Sequence, residues 1–170
     1  MAPMQAPQPD DEALRLATLL RLAVLDTAPE ERFDRYTRLA ARLFGVPMAA
    51  VSLVDAERQW FKSSVGLDIA ESRRADAFCA YTILDGDALV VPNTMEDPRF
   101  IDNVFVRPPP PIVGFYAGHP VRVAGHAIGT LCLMDHAPRQ FSDDDRMALR
   151  DLARMSRLSS APSPPPPATR

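Results

Sequence analysis

Cysteine and histidine carry the most versatile side-chain chemistry, and this sequence has two cysteines and three histidines. Cys79 lies where the sequence predicts the beginning of a short helix, and a helix N-terminus lowers the pKa of a thiol and favours the reactive thiolate. The alternative is a buried structural cysteine packed beside Phe78, because a free cysteine often behaves as a small hydrophobe. That alternative is favoured more strongly for Cys132, which lies inside an apolar strand. Cys79 is therefore the candidate reactive thiol.

The histidines do not suggest a metal or haem site. Such a site requires neutral imidazoles or carboxylates that converge on one point. His126 falls in a predicted turn and His136 in a predicted loop, so we expect both to be solvated. His119 is the histidine expected to face a cavity, where it would pack or form hydrogen bonds. We predict no metal ligands.

The sequence offers no catalytic constellation. No Ser/His/Asp set and no pair of carboxylates can be assembled from it, and no glycine-rich loop that would hold phosphates precedes a helix. Asp97 and Arg99 form a polar cluster in the EDPRF segment. We expect Asp97 to cap a turn and Arg99 to pair with a carboxylate, rather than either residue to contact a ligand. The sequence therefore predicts no enzymatic activity.

A pocket lined by aromatic rings and a few hydroxyl or thiol groups would suit a small organic ligand. The residues predicted to bind such a ligand are Phe78, Cys79, Tyr81, Phe115, Tyr116, His119 and Thr130. The alternative is that these side chains simply fill the core, as aromatic residues usually do. Both interpretations stay open at this point.

Hydrophobic periodicity predicts the elements that must position these residues. Five strands are predicted over 48–54, 58–65, 89–91, 115–123 and 127–134, the last two forming a hairpin around Gly125. Helices are predicted over 11–23, from a capping box at 27–30 to Gly45, over 75–84, and from Ser142 to Met155. Residues 97–103 are predicted to form a helical turn. An antiparallel sheet of about five to six strands with packed helices is the simplest α+β arrangement of these elements.

Composition and charge exclude several classes of function. A formal net charge of −3 and a pI of about 5.6 provide no general attraction to nucleic acids or anionic membranes. No run of about 18 apolar residues is present, so no membrane span is predicted, and the acidic beginning of the chain does not resemble a signal peptide. Two cysteines in apolar segments are typical of a reducing compartment. We therefore predict a cytoplasmic protein that binds neither nucleic acid nor membrane.

The distribution of the 18 prolines indicates one domain with two tails. Most prolines lie near the ends of the chain or in the run 108–111, and proline favours extended backbone because it lacks an amide donor. Residues 1–10 and the proline-rich residues 160–170 are therefore predicted to be disordered tails. Residues 11–159 are predicted to form a single domain, and the central proline run a loop.

Six segments between residues 25 and 153 form an ordered pattern. They read LDTAPEERFDRYTRLAARLFGVP, VSLVDAERQWFKSSVGL, FCAYTI, EDPRF-x-DN, FYAGHPV and IGTLCLMD. In this order and spacing they resemble the GAF family of small-molecule sensor domains, in particular a bacterial subgroup found near histidine kinase and diguanylate cyclase domains. The resemblance implies an antiparallel sheet with helices on one face and a ligand cavity, closed by inter-strand loops, on the other.

The chain also departs from its relatives. The subgroup usually has Phe-Cys-Ala-His where this sequence has Tyr81 as the fourth residue, and the expected lid, 105–111, is unusually rich in proline. Neither cysteine is followed by the histidine common in tetrapyrrole-binding photoreceptors of the family. The three-cysteine cluster of free-methionine-sulfoxide reductases and the signature of cyclic-nucleotide-binding members are also lacking. The cofactor, if any, stays unassigned.

We therefore predict a non-enzymatic sensory GAF module that binds an unidentified small molecule. The signal would pass through terminal helices and dimerisation, either within a homodimer or to an output partner of the histidine kinase or diguanylate cyclase type. Leu14, Leu19, Leu20 and the apolar stripe 148–155 are the predicted dimer contacts. Two alternatives stay open: a ligand-free structural dimerisation domain, and a thiol redox-active protein that uses Cys79.

Overall fold

Mostly apolar segments form the central sheet. The computed structural model describes residues 4–156, and its strands are β1 (Met48–Val54), β2 (Arg58–Val65), β3 (Glu71–Arg73), β4 (Leu89–Val91), β5 (Phe115–Val123) and β6 (His126–Asp135). Neighbouring strands pair antiparallel, in the order β3-β2-β1-β6-β5-β4. This confirms the predicted α+β class and antiparallel sheet. The sequence does not predict β3, because its three residues, Glu-Ser-Arg, are all polar and carry no hydrophobic signal.

Four α-helices flank the sheet: α1 (Glu12–Leu22), α2 (Glu31–Phe44), α3 (Cys79–Thr82) and α4 (Asp143–Met155). The predicted beginning of α4 is confirmed, because the Ser142 hydroxyl accepts a hydrogen bond from the Asp145 amide at 3.1 Å and the Asp145 carboxylate accepts one from the Ser142 amide. The capping box predicted at 27–30 is wrong. The Thr27 hydroxyl instead accepts a hydrogen bond from the Lys62 ammonium at 2.7 Å, so it does not cap α2.

The single helix predicted over 75–84 is broken into two pieces. A 3-10 turn covers Arg74–Asp76, the backbone is extended at Ala77, and α3 contains only four residues. The Asn103 side-chain amide donates a hydrogen bond to the Asp76 carbonyl oxygen at 3.0 Å. This contact from a distant segment satisfies the backbone at the break, so tertiary structure overrides local helix propensity.

The EDPRF segment has the structural role that the sequence predicts. The amides of Phe100 and Ile101 donate to the Asp97 carbonyl oxygen and form the helical turn. The Asp97 carboxylate accepts hydrogen bonds from the Arg99 amide at 2.9 Å and from the Arg99 guanidinium at 2.7 Å. Hydrogen bonding to Arg99 lowers the pKa of Asp97. The carboxylate that pairs with Arg99 is therefore the one that caps the turn.

The sheet separates two hydrophobic cores. Helices α1, α2 and α4 pack on one face, called the helix face below, while α3 and the connecting loops cover the opposite cavity face. Side chains alternate between the faces along a strand. On β6, Leu131 and Leu133 lie in the helix-face core, and Cys132 and Met134 lie in the cavity-face core. This arrangement confirms the predicted helices on one face and a loop-covered cavity on the other.

The predicted dimer contacts separate into buried and exposed residues. Leu19 is fully buried in the helix-face core, so it is not available for a partner, whereas Leu14 and Leu20 are exposed. In the stripe 148–155, Leu149 is also fully buried and Met155 is exposed. Leu19 and Leu149 lie on the apolar stripe of their helices that packs against the sheet, so they are buried.

A buried ion cluster joins α1 to the segment that leads into the cavity face. The Arg15 side chain has no exposed surface; its guanidinium donates to the Val54 carbonyl oxygen at 2.6 Å and to the Glu12 carboxylate at 2.9 Å. Arg74 donates to the same carboxylate at 3.2 Å. Burial raises the pKa of Glu12, but the hydrogen bonds from Arg74 and Arg15 outweigh burial and lower this pKa to about 2. The carboxylate is therefore ionised and holds two guanidinium groups together.

The predicted tails are only partly covered by the structure. Residues 4–10 form neither helix nor strand. The tail predicted at 160–170 lies outside the described residues. Between residues 4 and 156, no helix combines the length and the apolar character needed to cross a membrane.

Candidate ligand cavity

A cavity of about 350 Å³ lies between the cavity face of the sheet and the loops that cover it. Strands β1, β2, β5 and β6 and helix α3 provide its inner wall, and the loops after β2, before β5 and after β6 surround its opening. Its lining residues are Met48, Gln59, Phe61, Gly66, Leu67, Asp68, Ile69, Asp76, Phe78, Cys79, Phe105, Ile112, Val113, Tyr116, Cys132, Met134 and His136. The volume is within the range of small-molecule binding sites.

A cluster of polar groups lies at the base of this cavity, around the Cys79 sulfur. The Thr130 hydroxyl donates to this sulfur at 3.0 Å, and the Tyr116 hydroxyl lies 3.2 Å from it. The Tyr116 hydroxyl also lies 2.7 Å from the Thr82 hydroxyl. All four side chains are buried. Thr130 and Cys132 are alternate residues of β6, and both thiols line the cavity, one from α3 and the other from β6.

The environment of the two thiols makes their acidities unequal. Burial raises the pKa of Cys79, but hydrogen bonds from the Cys132 thiol and from the Thr130 and Tyr116 hydroxyls lower it to about 7. The same contact with Cys79, together with burial, raises the pKa of Cys132 well above its usual value. Burial also raises the pKa of Tyr116. Cys79 is therefore the first group of the cluster to ionise.

Stacked aromatic rings form one wall of the cavity. The Phe78 ring stacks on Tyr116, with centroids 5.1 Å apart, and on Phe100 at 4.3 Å. The Tyr81 ring packs edge-on against Phe100 at 5.2 Å, and neither of these two rings lines the cavity. Burial raises the pKa of the Tyr81 hydroxyl. Tyr81 therefore supports the aromatic wall and does not reach the cavity.

The charged residues that line the cavity are both acidic. The Asp76 carboxylate is buried and pairs with the exposed Arg73 guanidinium at 2.9 Å, while Asp68 is exposed at the opening. Within the part of the chain that the structure describes, neither lysine nor arginine contributes to the lining. His136 lies at the opening, where its Nδ1 atom lies 2.8 Å from the Ile112 carbonyl oxygen. Across residues 4–156, no three His, Cys, Asp or Glu side chains are grouped closely enough to hold a metal ion.

The structure brings together four of the seven predicted site residues. Phe78, Cys79 and Tyr116 line the cavity, and Thr130 contacts the Cys79 sulfur beneath it. Tyr81 does not line the cavity, as described above.

Phe115 and His119 are on the wrong face of the sheet for the predicted role. They share their parity on β5 with Ala117 and Val121, which belong to the helix-face core. Phe115 packs against Phe141 with ring centroids 5.8 Å apart. His119 is buried, and burial lowers its pKa. Because side chains alternate along a strand, neither residue reaches the cavity.

Several cavity residues escape the sequence-based prediction. Cys132 and Met134 occupy alternate positions of β6, and Met48 pairs with Met134 across the neighbouring strand. Side chains alternate along β6, so assigning Thr130 to the cavity side also predicts that Cys132 and Met134 face the cavity. Phe105 and Ile112 come from the proline loop, where no periodicity exists to indicate their direction. The prediction that this loop covers the cavity is consistent with their position.

Comparison with known proteins identifies the chain at the level of its family. A model of the GAF domain family matches residues 28–157. A Pseudomonas aeruginosa protein named as a cyclic di-GMP phosphodiesterase is 40% identical over 151 residues, which are 88% of this chain. The chain spans only 26% of the length of that relative.

Solved structures of low sequence identity share the fold. The GAF domain of an Acinetobacter phosphoenolpyruvate-protein phosphotransferase has a TM-score of 0.61 at 18% identity and covers 84% of this chain and 90% of its own. A free methionine-R-sulfoxide reductase from Neisseria meningitidis, solved with its substrate, has the same TM-score and identity and covers 92% of this chain and 93% of its own. Because the GAF family model matches residues 28–157, which are most of the chain, the chain belongs to the GAF domain family.

Proposed function

We propose that this chain is the sensory module of a bacterial signalling protein and binds, in the cavity, a small organic molecule that carries no negative charge. The observation that carries the proposal is the composition of the cavity: apolar and aromatic walls with a few converging polar groups. Such sites bind organic molecules through buried apolar surface, and their polar groups select the orientation. GAF domains in general are regulatory domains that accompany signalling output domains, as in the Pseudomonas relative.

The charge of the cavity lining argues against a negatively charged ligand. An anion that enters an apolar cavity loses its hydration and needs a cation or several donors in compensation. Among residues 4–156, this cavity is lined by the carboxylates of Asp68 and Asp76 and by no lysine or arginine. The Pseudomonas relative is named for cyclic di-GMP, whose phosphodiester groups are negatively charged. We infer that the cavity does not bind such a nucleotide and that neutral or cationic molecules are preferred.

The opposite face of the sheet offers a route for output. Helices α1, α2 and α4 pack there, and the Arg15–Glu12–Arg74 cluster connects α1 to the turn that carries the cavity residue Asp76. A ligand that displaces this turn would therefore act on α1. Leu14 and Leu20 of α1 are exposed and are the candidate contacts with a second copy or with an output partner.

The first test asks whether freshly purified protein retains a small molecule. Native mass spectrometry of the chain, before and after denaturation, is expected to release a compound that is neutral or cationic. A thermal-shift screen with phenethylamine, 3-phenylpropanamide and 3-phenylpropanoate then tests charge at nearly constant shape. We expect the amine or the amide to raise the melting temperature and the carboxylate to leave it unchanged, because binding to the folded state stabilises it.

Two tryptophan variants assign the effect to the cavity. Ile112 lines the opening and is 46% exposed, so Ile112→Trp obstructs entry without replacing a core residue. Ile101, which is 53% exposed and does not line the cavity, provides the matched control Ile101→Trp. We expect retention and thermal shift to be lost only in the first variant. Equal retention in both variants, or stabilisation by the carboxylate alone, contradicts the proposal; no retained compound and no stabilising compound favours the ligand-free structural domain.

A further inference from the structure

The two cysteines of the chain meet at the base of the cavity, although they are distant in sequence. Cys79 begins α3 and Cys132 lies in the middle of β6. Thr130, which shares a face of β6 with Cys132, donates to the Cys79 sulfur at 3.0 Å. Cys132 lies two residues along β6 from Thr130, and it lines the same cavity as Cys79. We propose that these residues form an oxidisable dithiol, which a small hydroperoxide entering the cavity converts to an intramolecular disulfide.

The surrounding hydroxyls favour reaction at Cys79 rather than at Cys132. A thiolate in an apolar site needs hydrogen-bond donors in place of water. Thr130 donates to the Cys79 sulfur, and Tyr116 can also donate to it when the Thr82 hydroxyl, 2.7 Å away, donates to Tyr116. At Cys132 the contact with Cys79 and burial outweigh the nearby donors and raise the pKa of this thiol. Cys79 is therefore the attacking thiol and Cys132 the second thiol.

The cavity gives an oxidant access to a sulfur that is otherwise enclosed. Both cysteines are buried, yet both line the cavity, whose opening lies beside the exposed residues Asp68 and Ile69. A hydroperoxide such as hydrogen peroxide is small and uncharged, so it can enter an apolar cavity without the cost of desolvating a charge. Larger or anionic oxidants are not expected to reach the thiols.

The reaction balances as a two-electron oxidation of the dithiol. The Cys79 thiolate attacks one peroxide oxygen, the O–O bond breaks, and a sulfenic acid forms on Cys79 while the other oxygen leaves as water or an alcohol after taking up the thiol proton. The Cys132 sulfur then attacks the sulfenic sulfur. The S–S bond forms, the S–O bond breaks, and the hydroxide leaves as water with the proton of Cys132. Two thiols and one hydroperoxide give one disulfide, one water and one water or alcohol.

The product would connect two elements that both line the cavity. A bond from α3 to β6 fixes the helix that carries Phe78 and Cys79 against the sheet. It also removes the thiol that neighbours the Tyr116 hydroxyl. Oxidation therefore changes the shape and polarity of the cavity base. This inference does not depend on whether an organic ligand binds, because it needs only a small oxidant.

The decisive experiment uses the unmodified full chain. Purified protein is treated with hydrogen peroxide at a small molar excess, alkylated with iodoacetamide in denaturant, and digested with trypsin without reduction. The expected product is a monomer 2 Da lighter, with a disulfide between the tryptic peptides 75–99 and 123–139, which end at arginines. Two alkylated cysteines, a disulfide between two chains, or Cys79 oxidised to a sulfinic acid with Cys132 free would each overturn the proposal.

Two variants and a pH profile then separate the roles of the two thiols. Cys132→Ala is expected to accumulate a sulfenic acid on Cys79 that dimedone traps, whereas Cys79→Ala is expected to leave Cys132 reduced. In the unmodified chain the oxidation rate should rise about tenfold from pH 6 to pH 8 and level off above about pH 8, where Cys79 is mostly thiolate. A rate that continues to rise tenfold per pH unit beyond pH 8, or equal oxidation of Cys132 in Cys79→Ala, contradicts the assignment of Cys79 as the attacking thiol.

Discussion

The two faces of the sheet use the same strands for different purposes. The helix face is closed by aliphatic and aromatic side chains, and its β6 residues Leu131 and Leu133 have no exposed surface. The cavity face instead gathers Met48, Met134 and Cys132 around a space of about 350 Å³. The cavity face also buries thiol and hydroxyl groups that form hydrogen bonds with one another. Close packing on one face stabilises the domain, and this stability tolerates incomplete packing and reactive groups on the other face.

The sharpest way to test this contrast is to truncate adjacent residues of β6. Leu133 is 0% exposed in the helix-face core, and Met134 is 6% exposed and lines the cavity. We expect Leu133→Ala to lower the free energy of unfolding by about 2–5 kcal/mol, because it removes buried surface and leaves a new void. Met134→Ala should cost clearly less, since it enlarges a space that already exists. Urea denaturation of both variants measures the difference.

The outcome for this pair is informative in either direction. Equal losses in Leu133→Ala and Met134→Ala would show that the cavity wall is packed as tightly as the helix-face core. A larger loss in Met134→Ala would contradict the contrast between the two faces. Circular dichroism of both variants at room temperature confirms that each is folded before denaturation is compared.

The second prediction concerns the ion cluster that connects the two faces. Glu12→Gln removes the charge that holds Arg15 and Arg74 together, and Arg15 is fully buried. We expect this variant to lose about 2–3 kcal/mol at neutral pH, because a buried guanidinium keeps its desolvation cost without its counter-ion. Glu31→Gln, which breaks the exposed pair with Arg38, is the matched control and should cause no measurable loss.

The pH dependence gives this second prediction a sign. The pKa of Glu12 is lowered from 4.5 to about 2 in the folded chain, so folding stabilises the ionised carboxylate. Its contribution is complete above about pH 4.5 and is lost as the pH falls toward 2. Unfolding free energy should therefore fall more steeply over this range in the unmodified chain than in Glu12→Gln. Parallel curves would show that the cluster contributes nothing.

Sequence alone predicts those elements of this fold whose signals are local. The five strands with apolar residues, the Ser142 beginning of α4 and the Asp97 turn each depend on residues within a few positions of one another. The break in the predicted helix 75–84 depends on Asn103, far along the chain. The three-residue β3 depends on pairing with β2. Long-range contacts of this kind cannot be read from periodicity.

The candidate site is harder to predict than the fold because it requires the direction of each side chain. The segment FYAGHPV of β5 is apolar at both parities, so it does not indicate which residues face the cavity. Tyr116 faces it, and Phe115 and His119 do not. The meeting of Cys79 with Cys132 is likewise a consequence of α3 packing on β6. Residue type therefore identifies candidates, and the tertiary structure selects among them.

A third prediction tests how closely the cavity base is built. A Cβ atom at Gly118 would lie 2.2 Å from the Tyr116 hydroxyl oxygen, and that ring is rigid and fully buried. We expect Gly118→Ala to displace Tyr116 and to cost about 1–3 kcal/mol, the usual range for overpacking. Gly86→Ala, at a glycine with no atoms within 4 Å of the added Cβ, is the control. A stable Gly118→Ala variant with an unchanged Cys79 thiol titration would show that the base is loosely packed.

The smallest expected change in unfolding free energy comes from removing one tyrosine hydroxyl on each side of the sheet. Tyr116→Phe removes the buried group that lies between Cys79 and Thr82, and should cost about 1 kcal/mol because its partners have no water to replace it. Tyr36→Phe removes an exposed hydrogen bond to the Met155 carbonyl oxygen, which water can replace, so its cost should be close to zero. Thiol titration adds a readout that stability lacks. Loss of the Tyr116 donor should raise the pKa of Cys79, whereas Tyr36→Phe should leave it unchanged. An unchanged Cys79 titration in Tyr116→Phe would assign the acidity of this thiol to Thr130 and Cys132 instead.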